Sequence, residues 1–259
     1  MKYALITLSG EGLATCRMLA DSLPADLYAH SSVDTGDDIR GFKSIMNLTS
    51  RLFGEYDGLV YVLPCGVAVR AIAPCLEDKR NDPAVVVLDV GARWSVSLLS
   101  GHEGGANALA IRAANAVNAE PVISTTSEAV RTVVAGIGCR RGVEAPVILD
   151  ALQEALDEVE VGRDELRLLA TADLKADERG LRDAAEQLGV PVRYVSSEEI
   201  RSSRRDFERS DFVNAKVGLP GVCEPAALLA GRRTSLLLPK RKRGPVTIAL
   251  AKENCPWSG

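Results

Sequence analysis

Through the first half of the chain, short β-branched runs alternate with stretches whose apolar positions recur every three to four residues, the pattern of strands and helices taking turns. Residues 2–8 (KYALITL) read as a strand and 12–23 as the helix after it, with Leu13, Cys16, Leu19 and Ala20 on one face. A second amphipathic helix is predicted over 42–53, a buried strand over 58–63, and a short helix over 66–74 that Pro74 stops. The rhythm then changes: AVVVLDV (84–90) and RWSVSLL (93–99) are separated only by Gly91 and Ala92, which predicts a β-hairpin rather than a crossover. A helix over 106–118 and a strand over 121–125 close this half.

A second series starts at Arg131, where TVVAGIGCRRGV reads as a strand entering a glycine turn, followed by a helix over 145–159. A strand over 166–173, a helix around 177–188 and a strand over 190–196 continue the alternation, and Ser196 with Glu199 has capping-box spacing for a helix starting near 197. Residues 201–220 are polar and basic with little periodicity, a predicted surface loop; EPAALLAG is a helix that Gly231 ends, and TSLLL and VTIALA are closing strands. The expected architecture is two α/β domains, 1–128 and 129–259, each with a mainly parallel sheet flanked by helices, the first with a β-hairpin insertion.

The 259 residues, 46% hydrophobic and 25% charged, suffice for two cores and carry no signature of disorder. A net charge of -4 and an aromatic content of 4% argue against general nucleic-acid binding, which needs a basic face and stacking platforms. The six cysteines, at 16, 65, 75, 139, 223 and 255, show no C-x-x-C spacing, so reduced thiols fit better than a zinc site or a disulfide framework. The apolar run of MKYALITLSGEG is too short for a signal-peptide core, and no run reaches the ~20 apolar residues of a membrane span. These features predict a cytoplasmic protein with no nucleic-acid or membrane partner.

Four stretches carry candidate chemistry. TLSGEGLA lacks the third glycine of a dinucleotide fingerprint, Thr15 standing in its place, and reads better as a tight turn before a helix. AGIGCRRGV is no P-loop, but its backbone beside Arg140 and Arg141 suits a carboxylate or phosphate; a structural turn with solvated arginines explains it equally. Arg70, Lys79, Arg80 and Asp82 share one connection between strands, expected at the carboxyl ends where α/β sheets collect ligands, either as an anion clamp or as surface charge. Last comes SGHEGGAN, which holds one of only two histidines. His30 and His102 cannot build a histidine-rich metal shell, and no G-x-S-x-G elbow is present. Gly101, Gly104 and Gly105 would let a ligand approach the backbone at a helix start, where His102 is placed either as a structural histidine or to move a proton near a developing oxyanion.

GVAVRAIAP and DKRNDPAVVVLDVGARWSVSLLSGHEGGANALA closely resemble the N-terminal domain of the CbiG family, the cobalt-precorrin-5A hydrolases of anaerobic cobalamin biosynthesis. GIGCRRGV, VGLPGVCEPAALLAG and VTIALA resemble that family's C-terminal domain, which also occurs in related form as the stand-alone CobE. The resemblance implies opening of the ring A δ-lactone of cobalt-precorrin-5A with loss of C20 and its methyl as acetaldehyde. It implies His102 as general base or acid, with Glu103 as second candidate, and Ser100, Gly101, Gly104, Gly105 and Asn107 around the substrate and its oxyanion. Arg70, Lys79 and Arg80 would hold peripheral carboxylates, and Gly138, Arg140, Arg141 and Glu224 would complete the substrate site. Cobalt would arrive inside the substrate, so no metal or other cofactor is expected; other enzymes of the pathway are the expected partners. The middle segment of many family members is missing, since PVISTTSEAV passes almost directly into RTVVAGIGC. A non-catalytic corrinoid-binding or channelling protein would use the same clamps; a nucleotide-dependent oxidoreductase would need the fingerprint that is absent.

Overall fold

The computed structural model describes residues 1–35, 39–78, 80–207 and 218–254. The chain divides into two units, Met1–Thr125 and Thr126–Gly259. The first is built on a sheet in the order β3-β2-β1-β4-β5-β6-β7: β1 (Tyr3–Thr7), β2 (Ala25–His30), β3 (Arg40–Phe42), β4 (Gly58–Val62), β5 (Ala84–Leu88), β6 (Trp94–Leu99) and β7 (Glu120–Val122). The pairings are parallel except that between β5 and β6, where Leu88 faces Ser95 and Val85 faces Leu99. The predicted hairpin is therefore present, and it reverses the last two strands relative to the other five.

Central strands buried on both sides read as continuous apolar runs, and here successive side chains go to opposite layers. Val60 and Val62 of β4 pack with α1 (Gly10–Ala20) and α4 (Ala106–Val117), whereas Leu59, Tyr61 and Leu63 pack with α2 (Ile45–Leu52) and α3 (Cys65–Ile72). Right-handed crossovers explain this distribution. A same-handed connection between the reversed β6 and β7 throws α4 onto the face opposite α3, beside α1. Leu109 and Ile111 of α4 are 2% and 1% exposed, each contributing about 1.5–3 kcal/mol by burial.

The second unit holds β8 (Val133–Cys139), β9 (Leu166–Ala172), β10 (Val192–Val195), β11 (Thr234–Arg243) and β12 (Val246–Glu253) in the order β10-β9-β8-β12-β11. The first three strands pair in parallel; β12 is antiparallel to both β8 and β11, so this sheet is mixed, closed by a second hairpin that the sequence pattern did not predict as one. α6 (Ala145–Glu158) and α7 (Arg179–Leu188) cover one face, and α8 (Ser197–Ser202) and α9 (Cys223–Leu229) the other; α5 (Thr126–Ala129) opens the unit. Ser196 caps α8 as expected, its Oγ accepting the Glu199 N–H at 3.1 Å.

Three expectations need correction. The segment Ala25–His30 is a strand that the sequence pattern did not single out, and residues 40–42 form an edge strand where helix was predicted to begin at 42. Gly136 and Gly138 are not in a turn but inside β8, where a Cβ on Gly136 would run into the Cys223 carbonyl and the Ala227 N–H of α9. Part of the predicted loop 201–220, Lys79 and Cys255 lie outside the described residues.

Candidate active site

Because β6 runs backwards, its carboxyl end, Leu99, lies beside the amino end of β5, and the Ser100–Gly105 loop emerges there. The Asp78–Pro83 loop arrives at the same edge as it enters β5. A Cβ on Gly104 would meet the Ser100 Cβ at 2.5 Å, the Ser100 carbonyl at 3.0 Å and the Asp82 carbonyl at 3.3 Å, so only glycine lets the two loops close on each other. Asp82 is 8% exposed, and its Oδ1 accepts the Glu77 N–H at 3.1 Å, which ties down its own loop.

Arg70, in the last turn of α3, donates from Nη1 back to the Gly66 carbonyl at 3.0 Å. Arg80 lies in the connection that enters β5, its N–H bonded to Asp78 Oδ1 at 2.9 Å.

The histidine loop is held by buried contacts. Asn107, 7% exposed, accepts the Ser97 hydroxyl at Oδ1 (2.8 Å) and donates from Nδ2 to Thr125 Oγ1 (2.9 Å). Its amide thus brackets β6 to the residues after β7, with one Nδ2 N–H engaged in that bond. The Ala106 and Asn107 N–H groups donate to the Ser100 and Gly101 carbonyls at 3.1 and 3.0 Å, folding the loop over the start of α4. The N–H groups of Gly104, Gly105 and Ala108 have no backbone acceptor among the described residues, and these three residues line one cavity. They are the free donors of the helix start.

Ser100 stands out within the loop. Its φ of +56° is left-handed, and its hydroxyl, buried in a residue 8% exposed, has no hydrogen-bond partner among the described residues. Such a backbone costs about 1–3 kcal/mol and an orphaned buried hydroxyl a similar amount. His102 is exposed, with no hydrogen-bond partner among the described residues. The other histidine is engaged: His30 bonds Ser32 Oγ at 2.7 Å and packs edge-on against Phe42. Glu103 is exposed beside His102.

The cavity, 570 Å³, opens at the same edge between the starts of β1, β4 and β5 and the first turns of α4. Arg112, which the sequence reading did not single out, stands on its wall two turns along α4 from Gly105. No spacing signal marks a lone arginine on the polar side of a helix.

In the second unit, Gly142 donates its N–H to Glu178 Oε2 at 3.0 Å, and Lys175 pairs with Glu178 Oε1 at 3.0 Å. Burial alone would raise the Glu178 carboxyl, but the Gly142 N–H and the Lys175 ammonium overcome this and hold it below the usual value. The Arg140 N–H bonds the Pro245 carbonyl at 3.0 Å, so this donor and that of Gly142 are spent on the protein itself. The Arg140 and Arg141 side chains are exposed, Arg141 lying 3.7 Å from Asp177. Glu224, 3% exposed, accepts the Lys240 N–H at 2.8 Å, and a Cβ on Gly138 would meet Thr247 Oγ1 at 2.5 Å.

Residues 47–128 match the family described as Cobalamin synthesis G N-terminal, and residues 133–251 that described as Cobalamin synthesis G C-terminus. The chain belongs to the CbiG family. It is 28% identical to a protein of Priestia megaterium named cobalt-precorrin-5A hydrolase, over 96% of this chain and 94% of that one. A protein of the same name from Salmonella typhimurium is 27% identical over 95% and 96% of the two chains. Protein CobE of a Sinorhizobium species is 33% identical over 49% of this chain and 83% of its own. The first two alignments run over 353 and 339 positions, more than the 259 residues here, so both CbiG relatives carry sequence without a counterpart in this chain.

Proposed function

We propose that this chain is a cobalt-precorrin-5A hydrolase, opening the ring A lactone and releasing acetaldehyde in anaerobic cobalamin biosynthesis. The observation that carries this reading is the match to two relatives of that name over nearly the full length of both partners. The first unit supports it with a histidine on a glycine loop beside a cavity whose wall offers free N–H donors. In this reading His102 takes a proton from the attacking water, the N–H groups of Gly104, Gly105 and Ala108 receive the tetrahedral oxyanion, and the protonated imidazole returns the proton to the departing ring alkoxide. Glu103 is the alternative proton carrier. Cobalt enters as part of the substrate, and the chain supplies no metal of its own. Among the described residues no helix is long and apolar enough to cross a membrane; we place the enzyme in the cytoplasm, handing its product to the next enzyme of the pathway.

Anaerobic incubation with cobalt-precorrin-5A, trapping acetaldehyde and following the corrinoid mass, tests this. Acetaldehyde together with the mass of the lactone-opened ring that has lost this two-carbon fragment supports hydrolysis; tight binding without product would make the chain a corrinoid carrier.

A further inference from the structure

Tyr3 is 5% exposed, and its ring packs where a Cβ on Gly58 would stand, 2.9 Å from Tyr3 Cδ1 and 3.0 Å from Leu109 Cδ2. The missing side chain at Gly58 thus makes the slot that fixes the ring. Arg112 lies over that ring, its Cζ 5.4 Å from the centroid, and donates from Nη1 to the Tyr3 hydroxyl at 3.2 Å. Among the described residues no carboxylate pairs with Arg112, although Glu55, Asp57 and Asp82 line the same cavity. Asp57 is occupied by the Lys2 N–H at 2.6 Å and Asp82 by the Glu77 N–H, so neither turns to the guanidinium. An arginine stacked on an aromatic face keeps most of its planar fork of donors available, the arrangement that recognises a carboxylate in two-pronged fashion.

We propose that Arg112 is the carboxylate anchor of the first unit, binding an acetate or propionate side chain of the macrocycle while the Ser100–Gly105 loop receives the lactone. Tyr3 is its positioning residue. The inference rests on the hydrolase reading and names a specificity determinant that reading leaves open. The face of α4 that begins at the oxyanion donors Gly105 and Ala108 carries Arg112 one turn beyond Ala108, so a single rigid helix spaces the anchor from the reacting carbonyl.

The test is steady-state turnover of cobalt-precorrin-5A under anaerobic conditions by the parent, Arg112→Gln, Arg112→Lys and Tyr3→Phe. Arg112→Gln should raise KM about 10- to 100-fold with kcat within about 3-fold, Arg112→Lys should recover part of the loss, and Tyr3→Phe should raise KM less, in the same direction. The KM of the parent should climb with salt and that of Arg112→Gln should not. Unchanged KM in Arg112→Gln beside an active parent, or a loss confined to kcat, would overturn the anchor and leave the hydrolase reading standing. A parent that releases no acetaldehyde overturns the hydrolase reading and the anchor with it.

Discussion

Gly104 presses on Ser100 so closely that a single methyl group at Gly104 would stand 2.5 Å from the Ser100 Cβ. The contact locks a left-handed serine beneath the loop that carries His102, and its neighbours, the Ser100 Cβ and the Ser100 and Asp82 carbonyls, have little room to yield. Gly104→Ala should therefore destabilise the first unit by about 1–3 kcal/mol and lower turnover at least about 10-fold. Chemical denaturation read beside acetaldehyde release checks both; an unchanged midpoint would show that the loops are not closed on each other.

His102 is different, because it is exposed and has no hydrogen-bond partner among the described residues. His102→Gln should leave stability within about 0.5 kcal/mol of the parent and corrinoid binding intact, while turnover falls about 100- to 10,000-fold. Turnover at the parent rate would remove the histidine from the mechanism and move attention to Glu103.

Asn107 should behave as a strut. Removing its amide in Asn107→Ala leaves the Ser97 hydroxyl and Thr125 Oγ1 without their bonds, at a cost of about 1–3 kcal/mol. Urea unfolding measures this; a loss below about 0.5 kcal/mol would return the amide to the list of groups free to meet substrate.

Glu178 gives the second unit an acid-sensitive contact. Its folded carboxyl lies below its ordinary value of 4.5 despite burial, because of Gly142 and Lys175. A depressed carboxylate contributes stability above the unfolded value and loses that contribution as pH falls through the folded one. The parent should thus lose stability as pH drops below about 4.5, and Glu178→Gln should show a flatter profile there and a lower plateau at neutral pH. Thermal unfolding across pH 3–7 compares the two, and parallel profiles would contradict this assignment.

The central strands were legible because burial on both faces leaves an uninterrupted apolar run, as in β4 and β5. β2 was not, since Asp26 and His30 break its run: Asp26 accepts the Tyr56 hydroxyl at 2.5 Å and an Arg40 N–H at 3.2 Å, a polar use of strand positions that periodicity does not register. Gly136 was misread because glycine signals a turn as readily as the close approach of a helix to a sheet. The histidine loop was found from its glycines. Its meeting with Asp82 and the presence of Arg112 both depend on which edge each connection reaches, and local sequence does not encode that.

The residues that decide the edge are remote from it. At the hairpin bend, Asp89 takes the backbone N–H of Arg93 and of Trp94 through Oδ1, at 2.8 and 2.9 Å, and the Arg93 Nε through Oδ2 at 2.9 Å. A sheet with this strand order ordinarily works at one rim and leaves the other blank. Here five residues, 89–93, send the chain back, and in the proposed reading they make the blank rim the working one. The polarity of the whole unit is thus written in a bend that lies outside the cavity lining.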